Sequence, residues 1–171
     1  MFEKNYTFQG EHAKYVKNLK DNANLFERYV DVLILAPIIG FLTGNKSKLK
    51  TGNESASILA EQIIKESDKL EFNYQLITIL DDNFCSDSAE RMNRAFRYKS
   101  GAEYEKSIKN YNDYIRGGVE YLHKKLFGND IDIETYSQDE IIENMFELID
   151  EYQKDFTENY DVDIDINKLL N

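Results

Sequence analysis

The stretch from Glu103 to Phe127 is the strongest structural signal in this sequence. Apolar and aromatic residues recur along it at the spacing of one helix face, and Gly128 follows as a C-terminal cap. We therefore predict one long helix here, with Tyr104, Ile108, Tyr111, Ile115, Val119 and Leu122 facing inward. Its middle holds Gly117 and Gly118, and a glycine costs a helix about 1 kcal/mol relative to alanine. Such a pair predicts a kink or the close approach of another helix.

Helix-start patterns divide the remainder of the chain into shorter helices. Three complete capping patterns are present: Asp68 with Glu71, Asp87 with Glu90, and Ser137 with Glu140. Weaker signals predict three more helices: one capped by Thr7 through about Lys20, one from Leu25 through Leu35, and one capped by Asn53 or Ser55 to about Lys65. The last helix is expected to run from Ser137 through about Phe156.

Two segments allow more than one interpretation. Pro37 removes an amide donor from the apolar run Val32–Leu42, so we expect the second helix to end or kink there. This run is shorter than the ~20 residues that cross a bilayer, and we interpret it as buried. The stretch FNYQLITIL, residues 72–80, contains residues that favour strands. Its preceding cap, and the lack of a convincing partner strand, favour a helix instead.

Length and composition fit one folded domain. The chain has 171 residues, 42% of them hydrophobic, and its single proline and eight glycines leave few helix breakers. We predict an all-α, compact single-domain bundle of about seven helices, with room for a short extended segment near the C-terminus. The helical domain is expected to span residues 1–156, with residues 157–171 as an acidic tail packed on the domain or extending from it.

Charge is distributed unevenly along the chain. Residues 1–128 contain 19 Lys and Arg against 18 Asp and Glu, whereas residues 129–171 contain 14 acids against two bases. The C-terminal quarter therefore has a charge of −12, and the whole chain has −11. A block of negative charge attracts basic partners and repels nucleic acid.

The last predicted helix places these acids on one face. Glu143, Glu147, Glu151 and Asp155 follow at four-residue steps, and like charges at that spacing cost about 0.2–0.5 kcal/mol per pair. Apolar residues on the opposite face are expected to hold the helix against the body: Ile141, Ile142, Met145, Phe146, Ile149 and Tyr152. A solvated face that aids solubility is the plain alternative. We predict a surface for a basic partner, formed by Glu143, Glu147, Glu151, Asp155, Glu158, Asp161 and Asp163.

Two basic groups are candidate phosphate contacts. They are Lys46, Lys48 and Lys50 in an acid-free loop, and Arg91, Arg94 and Arg97 on the fifth predicted helix. Affinity for nucleic acid rises with the number of phosphates neutralised, so a few contacts beside a −12 segment would bind weakly at physiological salt. We expect such arginines to pair with acids of the same chain, and we do not expect direct binding of nucleic acid.

Signals for metal binding and for catalysis are weak. His12, His123 and Cys85 are the only imidazoles and the only thiol, and none stands at zinc-ligand spacing. The Glu120–His123 step resembles one half of a di-iron site, but the second half is missing, so we interpret it as a surface pair. Glycine-rich phosphate loops are absent. We assign no catalytic residue, no metal and no cofactor.

Asp31 is the acid with the most apolar sequence neighbours. We expect it to be buried and to pair with Arg28 or Arg116, because buried acids need partners. An enzyme that uses buried carboxylates, with Asp31 as the first candidate, is the alternative from a different functional class.

The charge pattern favours a non-enzymatic interaction module, or an accessory subunit of a larger assembly, that docks a basic partner. A related alternative is an inhibitor that mimics nucleic acid and occupies the cleft of a DNA- or RNA-handling machine, for example in phage–host conflict. The single cysteine, and the absence of a secretory pattern in Met1–His12, predict a cytoplasmic protein without a membrane anchor. Assembly into a homo-oligomer stays open.

Overall fold

A computed structural model of the chain describes residues 2–128 and 136–159, with side chains as far as Lys154. Across these residues the chain is mostly helical, which confirms the predicted fold class, and it adds a small two-stranded sheet. The helices are α1 (Glu11–Lys17), α2 (Tyr29–Leu42), α3 (Ala60–Lys65), α4 (Ser67–Leu80), α5 (Ser88–Phe96), α6 (Ala102–Phe127) and α7 (Gln138–Asn159). A π-helical turn, Asn18–Asn22, continues α1.

The sheet replaces two of the predicted helix caps. Strand β1 (Tyr6–Gln9) pairs antiparallel with β2 (Ser55–Ile58), so Thr7 and Ser55 lie in strands and do not cap helices. Phe8, Ala56 and Ile58 are buried while their neighbours are more exposed, which is the alternation of a half-buried strand. Four-residue strands far apart in the sequence show too few alternations to be detected without their partner.

Helix α2 runs through its proline. The prediction that this helix ends at Leu35 is wrong, because α2 continues past Pro37 to Leu42. Pro37 is itself buried, and so are Val30 and Leu33 on the preceding turns. Packing of this apolar helix outweighs the ~3 kcal/mol that an internal proline costs, because each fully buried aliphatic side chain contributes about 1.5–3 kcal/mol.

Three glycines allow helix α6 to meet its neighbours backbone to backbone. A Cβ on Gly118 would lie 1.8 Å from the carbonyl oxygen of Ala36 in α2, and one on Gly40 would lie 2.2 Å from the carbonyl oxygen of Tyr114 in α6. A Cβ on Gly117 would lie 2.0 Å from the carbonyl oxygen of Asn45. The predicted close approach at the glycine pair is confirmed, and both α2 and the loop after it press against α6.

Local helix signals are confirmed in three further places. Residues 72–80 are helical, within α4, but the prediction that Asp68 caps this helix is wrong, because α4 begins at Ser67 without a side-chain cap. The side chain of Asp87 caps α5 by accepting hydrogen bonds from the amides of Ala89 and Glu90. Helix α6 is continuous from Ala102 to Phe127, and Gly128 follows it with a positive φ of 63°.

The chain divides into two compact units, residues 1–133 and 134–171. Helices α1 to α6 and the sheet belong to the first unit, and α7 belongs to the second. Within the described residues, none of the helices combines the length and the apolar character needed to cross a bilayer.

Candidate functional site

Helix α7 begins with the reciprocal cap that its sequence predicts. The Ser137 amide donates to Oε2 of Glu140 at 2.8 Å, and the Glu140 amide donates to Oγ of Ser137 at 3.3 Å. The hydrogen bond from the Ser137 amide is the main cause that lowers the pKa of Glu140. This cap fixes the start of the helix, and the helix continues to Asn159, slightly beyond the predicted end.

The described acids of the predicted docking row point into solvent. Glu143, Glu147 and Glu151 are exposed, one turn apart along α7. Within the described part of the chain, Glu143 and Glu147 take part in no ion pair. Their charge is therefore available to a partner. Asp155 and Glu158 lie on the backbone of α7 beyond the described side chains, and Asp161 and Asp163 lie outside the described residues.

Part of the apolar side of α7 is also open. Ile142, Phe146 and Ile149 are 42%, 60% and 50% exposed, and their spacing places them on one face. Of the apolar residues expected to be covered on this helix, Ile142, Phe146 and Ile149 are therefore exposed, whereas Ile141 is buried. Helix α7 presents an apolar stripe directly beside its acids, which is a typical arrangement for a helix that binds another protein.

The lysine loop lies across the helical body, and two of its lysines are paired. Lys46 Nζ is 3.3 Å from Oδ2 of Asp81, and Lys50 Nζ is 2.7 Å from Oε1 of Glu120. Lys48 is exposed and forms no ion pair among the described residues. Most of the positive charge of this loop is therefore balanced within the body.

The arginines of α5 mostly hold the fold together. Arg91 donates from Nε to the carbonyl oxygen of Ile79 at 2.7 Å and so caps the end of α4. Arg94 is 9% exposed and pairs with Glu90 and Glu103.

Arg97 is exposed and donates to Oδ1 of Asn93 at 2.8 Å. A phosphate contact stays a prediction for the six bases. Lys48 and Arg97 are the two that are best placed for it.

The most buried acid of the described residues is Asp81, which the sequence reasoning missed. Its side chain is 1% exposed, and its Oδ2 accepts from Asn110 and from the Tyr114 hydroxyl, both at 2.9 Å. Oδ1 accepts from the amide of Phe84 at 3.0 Å. Burial alone would raise the pKa of Asp81, but these hydrogen bonds and Lys46 outweigh it and lower the pKa. The cluster joins the end of α4 to α6 and to the lysine loop.

A second cluster surrounds His12. Its Nε2 lies 3.0 Å from Oε1 of Glu120 and 3.2 Å from Oγ of Ser47, and the Ser47 hydroxyl donates to Glu120 at 2.8 Å. A hydrolytic triad needs its histidine to contact the serine and the acid through different nitrogens. Here both partners meet the same nitrogen, so the arrangement links α1, the loop and α6 without activating a nucleophile.

His123 is not a surface partner of Glu120, and that interpretation was wrong. His123 is 3% exposed, and its Nε2 lies 2.9 Å from Nδ2 of Asn18. Burial lowers the pKa of His123 to about 4, so the ring is neutral at physiological pH. Glu120 instead faces His12 and Lys50. Among the described residues, no group of three His, Cys, Asp or Glu side chains could hold a metal ion.

The first candidate for carboxylate catalysis lies in a structural ion pair. Asp31 pairs with Arg28, as expected, at 2.6 Å, but its side chain is 28% exposed, so the expectation of burial was wrong. A surface groove of about 350 Å³ lies elsewhere, along α6. Its lining is formed by Tyr104, Glu105, Ile108, Lys109, Asn112 and Arg116.

Comparison with known proteins adds the biological setting. The chain matches, over residues 8–163, the model of a family described as DNA sulphur modification system-associated protein 4. A search of curated proteins and a search of solved structures both return no match. Because the family match covers most of the chain, the chain belongs to this family.

Proposed function

We propose that this member of the DNA sulphur modification system-associated protein 4 family is a non-enzymatic accessory subunit that docks a basic protein through α7. The observation that carries the proposal is the exposed row of Glu143, Glu147 and Glu151, of which the first two form no ion pair within the described residues. A row of like charges weakens its own helix. Binding to a partner of opposite charge would offset that cost.

The family setting supports a basic partner. A system that modifies DNA must contain proteins whose surfaces neutralise phosphates with Lys and Arg. An acidic helix is attracted to such a protein and is repelled by the DNA itself. The bases of the helical body are mostly engaged with the chain's own acids and carbonyls, which further supports attachment to protein over attachment to DNA.

The clusters of the helical body support a structural role for its charged residues. Asp81 and Glu120 each tie the lysine loop to α6, and Arg94 ties α5 to α6. The docking helix is therefore proposed as the functional element, with the body as a scaffold that brings it to the assembly.

Charge reversal on α7 tests the proposal. In the variant Glu143→Lys, Glu147→Lys and Glu151→Lys, capture of partner protein from extracts of the native host is expected to fall at least about tenfold. Removing and reversing several complementary charges costs more than about 1.4 kcal/mol. The row remains a row of like charges, so its self-repulsion is unchanged, and circular dichroism checks that the helix is retained.

A matched control reverses three exposed glutamates of the first unit, which does not contain α7. The variant Glu27→Lys, Glu61→Lys and Glu105→Lys has the same net charge and should retain capture. Equal loss in both variants would show that net charge alone matters and would contradict docking through α7. If free DNA displaces the captured protein from the wild-type chain, the partner's own DNA-binding cleft is the site, and the chain acts as a nucleic-acid mimic.

A further inference from the structure

The exposed apolar residues of α7 have a regular spacing. Ile142, Phe146 and Ile149 stand at positions i, i+4 and i+7, and all three are exposed. We call these three residues the α7 stripe. One edge of the stripe is already closed, because Ile141 and Leu148 beside it are buried. The stripe is therefore additional apolar surface, which the described residues leave open.

An acid directly follows each residue of the stripe. Successive residues of an α-helix are turned by about 100°, so these acids form a second line that stays on one side of the stripe throughout. The acids are exposed and form no ion pair among the described residues: Glu143, Glu147 and Asp150.

The charge beside the stripe is almost entirely negative. From Gln138 to Lys154, α7 contains six acids and one base, and the base is Lys154 itself. The neighbours on the other side of the stripe are uncharged: Ile141, Met145 and Leu148. A partner that covers the stripe would therefore match it best with apolar side chains in the middle and with Lys or Arg along one side only.

We propose that the α7 stripe and its line of acids bind an apolar groove on a protein, with basic side chains along one wall of that groove. The proposal rests on docking through α7, the proposed function, and it specifies the chemistry of the partner's site. Helices that bind in grooves use anchors at this spacing. Phe146 is the central and largest of the three, so it is the main anchor, as aromatic residues near the centre of an interface often are.

Such a groove differs from a cleft that binds nucleic acid. Protein surfaces that bind DNA are more polar and much more positive than those that bind protein. In a cleft of that kind the acids of α7 would find partners, but the α7 stripe would meet polar groups and would gain little from burial. The stripe therefore favours a protein-binding groove over mimicry of nucleic acid.

The affinity of the full chain for its partner tests the groove. The probe is the protein that the wild-type chain captures from extract of the native host, purified after elution. Phe146→Ala should raise the dissociation constant at least about thirtyfold, which is the loss expected for a central anchor. Alanine favours helix, so α7 should be retained, and circular dichroism checks this.

The matched control makes the same change on another helix. Phe72 of α4 is 61% exposed, against 60% for Phe146, and Phe72→Ala should bind within about twofold of the wild type. Equal losses in the two variants would overturn the groove. Free duplex DNA, added as a competitor, should not displace the partner from the wild-type chain.

The remaining outcomes separate the groove from the proposed function. If Phe146→Ala binds as tightly as the wild type while the charge-reversal variant of Glu143, Glu147 and Glu151 loses capture, the groove is wrong and docking through α7 stands. Displacement by duplex DNA would have the same meaning. Unchanged capture by the charge-reversal variant would instead contradict the proposed function, and the basic wall with it.

Discussion

Replacing Gly118 with alanine should destabilise the folded chain by about 3–5 kcal/mol, a large part of the stability of a domain of this size. The new Cβ would lie 1.8 Å from the carbonyl oxygen of Ala36 and 2.9 Å from the amide nitrogen of Gly40. Both atoms are backbone, so no side-chain rotation can relieve the contact. Helices α2 and α6 would have to separate, and their shared core would open.

Urea unfolding measures whether Gly118→Ala has a lower or a higher free energy of unfolding than the wild type. Helix propensity alone predicts that Gly118→Ala stabilises by about 1 kcal/mol, so the packing account and the propensity account differ in direction. The control Gly44→Ala tests backbone conformation alone. Gly44 has a φ of 67°, a Cβ added there would meet nothing within 4 Å, and we expect a cost of only about 1–2 kcal/mol. A Gly118→Ala variant as stable as the wild type would contradict the close helix contact.

Replacing Asp81 with alanine is expected to cost about 2–4 kcal/mol, the sum for the two neutral polar groups that lose their acceptor. The change leaves the Tyr114 hydroxyl, the Asn110 amide and the Lys46 ammonium without the carboxylate that now accepts from all three. An uncompensated polar cluster at the junction of α4, α6 and the lysine loop is the physical cause. Tyr114→Phe removes one hydrogen bond from the same cluster and should cost about 1 kcal/mol. Urea unfolding of the two variants measures both costs.

Acid unfolding provides a second measurement on Asp81. The folded-state pKa of Asp81 lies below its ordinary value of 3.8. The charged group therefore stabilises the fold fully above that value, and this contribution disappears as the pH falls through the folded-state pKa. In Asp81→Asn the part of the stability loss at low pH that comes from Asp81 should vanish. Asp82→Asn, at the exposed neighbouring position, should retain it. Identical pH profiles for wild type and Asp81→Asn would contradict the assignment.

Elements encoded by local signals were predictable from the sequence. Helix α6, the Asp87 cap of α5 and the Ser137–Glu140 box of α7 depend on residues within a few positions of one another. Each pattern carries its own physical cause, an amide that needs an acceptor or a face that needs burial. The consequence of the Gly117–Gly118 pair was predictable for the same reason, although its contact partners were not.

Features that depend on distant partners were not predictable. Strands β1 and β2 are four residues each and stabilise one another across a long separation in the sequence. Pro37 stays helical because α6 covers α2, and Asp81 is buried by residues of α6 and of the lysine loop. The sequence Leu80-Asp81-Asp82-Asn83 is typical of a solvated loop, and nothing in it distinguishes the buried aspartate from the exposed one.

The acidic row was predictable as a pattern, but its surroundings were not. Helical spacing alone places Glu143 and Glu147 on one face. The same spacing suggested that Ile142, Phe146 and Ile149 would be covered, and the structure leaves all three open. The exposed apolar stripe beside the acids strengthens α7 as a candidate for protein binding, because such a surface gains from contact with a partner's apolar side chains as well as with its charges.

Hydrogen exchange on the complex tests docking through α7 most directly. The chain would be compared alone and bound to the protein that it captures from host extract and releases at high salt. We expect amide exchange between Ile142 and Glu151 to slow at least about tenfold on binding, with α3 unchanged. Unchanged exchange in α7, with protection appearing on another element instead, would contradict the account.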